Sequence, residues 1–177
     1  MSIADEKVWR TVVVDIAFGD GEYTSSGRLF TFYDRNHAPH LRADTTRYLF
    51  LNGRSTKIGP FAVDDQDLAI ERYAHSFQLQ LQVSAQHGTV AVNTSVGKSV
   101  VVFATLSSLN QILSDGIEYE AEAGFFGHDT VTVRVDDMGT AGLGGNLSDS
   151  VQIDVMVLAD NPQPAVFVLN GLASVNR

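Results

Sequence analysis

Two aspartates separated by one residue, Asp65 and Asp67, have the spacing that best suits metal chemistry in this chain. Ca²⁺ takes about six to eight oxygen ligands, and carboxylates at alternate positions of one loop can converge on a single ion. Aspartates are equally common in turns, where the side chain accepts hydrogen bonds from the nearby backbone. The pair therefore predicts either a calcium ligand pair or a stabilised turn.

A second acidic pair, Asp136 and Asp137, follows a Val-x-Val pattern typical of a strand and precedes Gly139. Carboxylates at this strand end could contribute to the same cation site. The alternative is that they begin the turn that follows the strand. Both interpretations stay open on the sequence alone.

The sequence gives little indication of a catalytic site. Glu118, Glu120 and Glu122 alternate and share one strand face, and paired carboxylates can flank a glycosidic bond. A solvated acidic face explains them more simply, since no aromatic sugar platform lies nearby. The histidines are scattered and read as surface residues, and the absence of cysteine excludes disulfides and thiolate chemistry. We predict that the chain is not an enzyme, with a glycan-active enzyme as a minor alternative.

Composition describes a folded domain with an acidic surface. The chain has 177 residues, 44% hydrophobic content and a formal net charge of −9. Such a charge disfavours nucleic acid and anionic membranes and suits hard cations. No apolar run approaches the roughly 20 residues of a membrane helix, so we expect no direct membrane insertion.

The elements that must position these side chains are predominantly strands. Period-two alternation is clearest in the Phe-Gln-Leu-Gln-Leu-Gln-Val run at 77–83. The predicted strands cover 8–18, 28–33, 47–51, 77–83, 89–92, 99–104, 117–120, 130–135 and 151–158. One helical turn is predicted over 107–114, begun by Ser107 or Ser108 and ended by Gly116. The pattern predicts an all-β fold, an antiparallel Ig-like or cadherin-like β-sandwich with one short helix.

Three sequence marks recur in the same order, which indicates an internal repeat. The matching pairs are 12–15 with 133–136, 36–39 with 160–164, and 49–53 with 167–171. The repeat frame predicts the closing hairpin of a preceding repeat at 1–35, one complete repeat at 36–161, and the opening strand of the next at 162–177. Alternatively, 1–35 supplies extra strands to the same sandwich.

The order of these segments resembles the cadherin-like tandem repeats of large bacterial surface adhesins and related secreted proteins. The resemblance spans 36–161. It rests on Asn-His-Ala-Pro at 36–39, Val-Asp-Asp-Gln-Asp at 63–67 and Asp-Asn-Pro at 160–162. Its most specific part is the Gly-Phe-Phe-Gly stretch from 124 that runs into Val-Arg-Val-Asp-Asp at 133–137.

The resemblance implies an extracellular or cell-surface module that spaces or anchors a larger adhesion protein, whose signal and anchor lie outside this segment. Its partners are neighbouring repeats, and a surface glycan or protein ligand is the alternative, as in a carbohydrate- or protein-binding module. It also implies calcium at the junctions between repeats. The implied metal ligands, with Asp137 added from its strand-end position, are Asn36, Asp65, Asp67, Asp137, Asp160 and Asn161.

Two departures weaken the first junction of the resembling pattern. His37 stands where the repeats usually carry an aspartate, and the early turn has Arg54 where a glutamate is usual. A cationic side chain in that turn would repel Ca²⁺. The spacing role is therefore better supported by the sequence than the calcium site.

Overall fold

The computed structural model describes residues 9–13, 16–17, 23–24, 29–33, 35–69, 75–140 and 144–159. The described chain is mostly β, with antiparallel sheets and one short helix, which confirms the all-β expectation. The predicted opening strand at 162–177 and the residues Asp160 and Asn161 lie outside the described part. Within that part, no helix is long and apolar enough to cross a membrane.

The elements follow one another along the chain as short strands interrupted once by a helix. They are β1 Trp9–Val13, β2 Ile16–Ala17, β3 Tyr23–Thr24, β4 Leu29–Tyr33, β5 His40–Ala43, β6 Arg47–Leu51, β7 Thr56–Ile58, β8 Phe61–Asp64, β9 Gln78–Ala85, β10 Gly88–Val92, β11 Ser95–Gly97, β12 Ser99–Thr105, α1 Leu106–Ser114, β13 Ile117–Ala121, β14 Gly127–Asp136 and β15 Ser148–Leu158.

Two larger sheets organise the region after residue 35. One has five strands in the order β12-β9-β14-β15-β6, and the other has four in the order β11-β10-β13-β7. Strands β5 and β8 form a separate antiparallel pair. The pairing of β6 with β15 is parallel, which departs from the purely antiparallel expectation. Parallel neighbours need a long connection, and here most of the domain lies between the two strands.

Alternating side chains of both larger sheets, together with the helix, form one hydrophobic core. In β9, for instance, Leu79, Leu81 and Val83 are buried while the glutamines between them are more exposed. The central buried residues are Ile58, Leu79, Leu81, Val83, Val90, Val92, Leu109, Leu113, Ile117, Tyr119, Val131, Val133, Val135, Ile153, Val155 and Val157. Each large apolar side chain removed from water contributes about 1.5–3 kcal/mol.

The helix is capped at Thr105, two residues before Ser107, the earlier of the two predicted caps. Thr105 is the N-cap, because its backbone is extended and its side chain accepts from the Ser108 N–H. The predicted caps Ser107 and Ser108 are instead inside the helix, so that prediction was wrong. Gly116 ends the helix as predicted. Its φ is +80°, and its N–H donates to the Leu113 carbonyl at 3.2 Å.

The N-terminal strands pair locally. Strand β1 is antiparallel to β4, with Trp9 opposite Tyr33, and β2 is antiparallel to β3. In the described residues each of these pairs is a two-stranded sheet of its own. The division of the chain into 1–35, 36–161 and 162–177 stays a prediction.

Candidate cation site

Four of the residues predicted as metal ligands lie buried in one acidic cluster. Asn36, Asp65, Asp67 and Asp137 are 4%, 5%, 4% and 2% exposed. Asn36 precedes β5, the two aspartates of the Asp-x-Asp loop follow β8, and Asp137 follows β14. The cluster is thus assembled from three separate segments. Burial of so many acidic groups is costly unless each is hydrogen-bonded or paired with a positive charge.

The Asp-x-Asp loop turns inward because Leu68 is an anchor in the core at 1% exposure. The Leu68 N–H donates to the Asp65 carbonyl at 3.2 Å, which closes the turn. Asp65 Oδ1 accepts from the Asp67 N–H at 2.8 Å. The turn predicted as the alternative to a metal site is therefore present, and it directs both side chains into the cluster.

Asp65 is the electrostatically strained member of the cluster. Burial, together with the negative charges of Asp67 and Asp137, raises its pKa to about 6 against the lowering effect of the backbone hydrogen bonds from Asp67 and Leu68. A carboxylate whose ionised form is disfavoured by burial and by like charges gains from a nearby cation. A cation beside Asp65 would therefore favour its ionised form.

Asp137 fastens the loop between β14 and β15. Its Oδ1 accepts from the N–H groups of Gly139 and Leu147, each at 2.8 Å. Its Oδ2 accepts from Asn36 Nδ2 at 2.6 Å. Asp137 therefore joins the segment before β5 to the loop that follows β14.

Asn36 has a buried oxygen without a partner. Its Nδ2 donates to Asp137 Oδ2 and, at 2.7 Å, to the Gly145 carbonyl. A flipped amide would place its oxygen against these two acceptors, so the orientation follows from the surroundings. Oδ1 then finds no hydrogen-bond donor among the described residues. Such an orphaned buried acceptor costs about 1–3 kcal/mol and is a free ligand for a cation.

His37 holds Asp67 by two hydrogen bonds. The His37 backbone N–H donates to Asp67 Oδ2 at 2.7 Å, and its Nδ1 lies 2.9 Å from Asp67 Oδ1. The sequence suggested a surface histidine, and the ring is indeed 40% exposed, but it is bonded to a buried carboxylate.

The donor set fits a hard cation. Asn36 Oδ1, Asp65 and Asp137 offer only oxygen atoms, the ligands that Ca²⁺ prefers. Within the described residues, histidine, aspartate and glutamate side chains do not gather in threes around a possible metal position. The set therefore depends on the amide oxygen of Asn36, with water or backbone carbonyls to complete a coordination shell. Soft-metal sites want thiolate or imidazole donors, which this set lacks.

Asp136 lies beside the cluster but is engaged elsewhere. Arg134 Nη2 donates to its Oδ2 at 2.7 Å, and the Met138 N–H donates to its Oδ1 at 2.8 Å. Its charge is paired within the protein. Of the two strand-end aspartates, only Asp137 faces Asn36.

No protein-family model matches the chain, and no curated protein matches its sequence.

The glutamates considered for glycan chemistry lie on a sheet surface. Glu118 and Glu120 are both exposed on β13, which confirms their shared face, and Glu118 is opposite Lys57 on β7. Glu122 forms an ion pair with Lys98. This arrangement is that of a solvated acidic face.

A second buried carboxylate, which sequence reasoning did not single out, lies near the start of β14. Asp129 is 2% exposed and accepts from the Tyr119 hydroxyl at 2.7 Å. It also accepts from the N–H groups of Gln86 at 3.1 Å, His87 at 3.0 Å and Thr130 at 2.7 Å. Burial of Tyr119 and the hydrogen bond from its hydroxyl to Asp129 raise the pKa of Tyr119. The carboxylate is satisfied entirely by protein donors.

Proposed function

We propose that this chain is a non-catalytic extracellular or cell-surface module, a cadherin-like β-sandwich repeat that spaces or anchors a larger adhesion protein. In this proposal the acidic cluster binds Ca²⁺ through Asn36, Asp65 and Asp137. The observation that carries it is the buried, unpartnered Oδ1 of Asn36 beside buried aspartates. Neighbouring repeats of the same protein are the proposed partners.

The energetic argument for a cation rests on the balance of donors and charges. The carboxylates of Asp65, Asp67 and Asp137 are buried together, and Asp65 has a raised pKa. A divalent cation would neutralise two negative charges and give Asn36 Oδ1 a partner. Oxygen ligands of mixed carboxylate and amide type are those of calcium sites in proteins.

The location of the cluster explains how a cation would serve a spacer. Asn36 lies in the segment between β4 and β5, just before the region that holds the two larger sheets. A cation held by Asn36, by the loop after β8 and by the end of β14 would cross-link that entry segment to the domain. The linker would lose conformational freedom, and a row of such modules would become stiffer.

A ligand-binding module is the second candidate. Phe126 is 69% exposed, and the neighbouring Phe125 ring stacks on His87 at a centroid distance of 4.6 Å. Exposed aromatic side chains beside polar groups favour recognition of a glycan or protein ligand. A glycan array in which Phe126→Ala abolishes a signal given by the native chain would support this function. An array without any signal would remove the glycan ligand.

Calcium binding is tested by calorimetric titration and by thermal melts in Ca²⁺, in Mg²⁺ and in chelator. We expect a Kd of about 10⁻⁴–10⁻³ M, the range of extracellular calcium modules. At 10 mM Ca²⁺ such binding stabilises the fold by about 1.4–2.7 kcal/mol, a rise in Tm of several degrees.

The matched variants are Asp65→Asn and Asp64→Asn. Asp65 is buried in the cluster, whereas its neighbour Asp64 is exposed and pairs with Arg42. Asp65→Asn should remove the calcium response, and Asp64→Asn should keep it. A native chain whose heat signal and Tm ignore both Ca²⁺ and chelator would overturn the calcium part of the proposal.

A further inference from the structure

His37 and Asp67 form a contact that bears on which acidic side chains can bind a cation. Both carboxylate oxygens of Asp67 are bound by His37, one by the backbone N–H at 2.7 Å and one by the ring at 2.9 Å. The carboxylate is buried at 4% exposure and the ring is 40% exposed, so the histidine covers Asp67 from the solvent side. For Nδ1 to bond a carboxylate it must carry the hydrogen, whichever charge the ring has.

We infer that His37 is a positioning residue that holds Asp67 out of the cation's coordination shell and thereby sets the affinity of the site low. The inference rests on the proposed cation site and concerns which acids belong to it. Asp65, Asp137 and Asn36 bind the cation directly. Asp67 acts through its backbone N–H, which donates to Asp65 Oδ1 at 2.8 Å.

The composition of the cluster supports this division of roles. Asp65 and Asp67 are two residues apart in one tight turn, so Asp67 lies next to a proposed ligand. Yet the described histidine, aspartate and glutamate side chains do not assemble into a group of three that could hold a metal. In this inference, the contact with His37 keeps Asp67 from serving as a third carboxylate ligand. Calcium affinity rises with the number of charged ligands, so releasing Asp67 should strengthen binding.

The backbone and ring contacts of His37 can be separated by substitution. His37→Phe keeps an aromatic ring at this half-exposed position but has no donor, so Asp67 Oδ1 is freed while the backbone bond to Oδ2 stays. His37→Ala gives the same release without a ring. The control is His40→Ala, because His40 is exposed and its ring contacts Asp149, at 3.4 Å.

Calcium titration of these variants, with folding checked by cooperative thermal melts in chelator, tests the inference. We expect His37→Phe and His37→Ala to lower the Kd at least about tenfold, the scale of one hydrogen bond to a charged group. His40→Ala should leave the Kd within about twofold. Asp67→Asn should weaken native binding by less than about tenfold, because only a nearby charge is lost, yet it should abolish the gain of the His37→Phe variant, the coupling expected of a released ligand.

The outcomes separate this inference from the proposed function. If the native chain binds Ca²⁺ and both His37 variants bind equally or more weakly, the positioning role is overturned and the cation site stands. Loss of native binding in Asp67→Asn alone would overturn it as well, since Asp67 would then be a direct ligand. If only the His37 variants bind, the positioning role holds and calcium binding by the native chain fails. If folded native and variant chains all fail to bind, both are overturned.

Discussion

The two ends of β14 each carry a buried aspartate, and the two side chains are satisfied in different ways. Asp129 accepts four hydrogen bonds, from the Tyr119 hydroxyl and from the backbone N–H groups of Gln86, His87 and Thr130. Asp137, eight residues and about 25 Å farther along the chain, accepts three hydrogen bonds, from Asn36 Nδ2 and the N–H groups of Gly139 and Leu147, but lies among other acidic groups. Its partner Asn36 has an oxygen for which the described residues supply no donor.

The comparison shows that burial of a carboxylate does not by itself indicate a metal site. At the Asp129 end a single charge is surrounded by donors, and the protein needs nothing more. At the Asp137 end the carboxylates outnumber the positive groups, and the pKa of Asp65 is raised. The balance of donors against acceptors distinguishes a structural carboxylate from a candidate ligand.

The largest effect on stability is expected when Asp129, the carboxylate with four hydrogen-bond donors, is removed. Asp129→Ala leaves the buried Tyr119 hydroxyl and backbone donors of the β9–β10 turn without their acceptor. Because each such donor costs about 1–3 kcal/mol, we expect a loss of about 3 kcal/mol or more in the free energy of unfolding. Urea denaturation measures it, and the loss should be the same in Ca²⁺ and in chelator.

The control for this change is Asp154→Ala. Asp154 is exposed and lies 3.0 Å from the His128 ring, so its removal should alter stability by about 0.5 kcal/mol or less. Equal losses for Asp129→Ala and Asp154→Ala, or a loss that calcium abolishes, would contradict the structural role of Asp129.

In the acidic cluster around Asp137, a smaller effect on the free energy of unfolding depends on pH. The pKa of Asp65 is raised to about 6 in the folded chain, so the folded state binds this proton more tightly than the unfolded state. The resulting stabilisation is fully present below the ordinary aspartate pKa and is lost as the pH rises through about 6. In chelator, the free energy of unfolding of Asp65→Asn should therefore rise relative to that of the native chain as the pH increases from 4.5 to 7.5.

The measurement is a series of urea denaturations of both chains across that range. Subtracting the two chains removes the contribution of the titrating groups that do not interact with Asp65. Added Ca²⁺ should reverse the trend, because the ion favours the ionised carboxylate. A difference that stays flat from pH 4.5 to pH 7.5 would show that Asp65 is not perturbed in the way the cluster requires.

Much of the fold was predictable because its long strands carry strong local patterns. The alternation in β9 places its leucines and valine in the core as its period predicts, and β14 and β15, predicted as strands, also bury alternate residues. The short strands β5, β7, β8 and β11 have three or four residues each, too few for a period to stand out. The parallel pairing of β6 with β15 joins residues that are distant in sequence, and no local pattern reports it.

The candidate site, like the fold, was predictable only in part. The spacing of Asp65 and Asp67 was visible in the sequence, and the linker position of Asn36 came from the resemblance to the repeats. Three contacts were not predictable: Asn36 with Asp137, Asn36 with Gly145, and His37 with Asp67. Each joins segments brought together only by folding.

A crystal structure of the chain grown with millimolar Ca²⁺ tests the central claim most directly. The account predicts one calcium ion in the cluster, with Asn36 Oδ1 and carboxylate oxygens of Asp65 and Asp137 at about 2.3–2.6 Å from it. Asp67 should remain on His37. A cluster that holds only water at Asn36 Oδ1, or an ion bound elsewhere on the surface, would contradict the account.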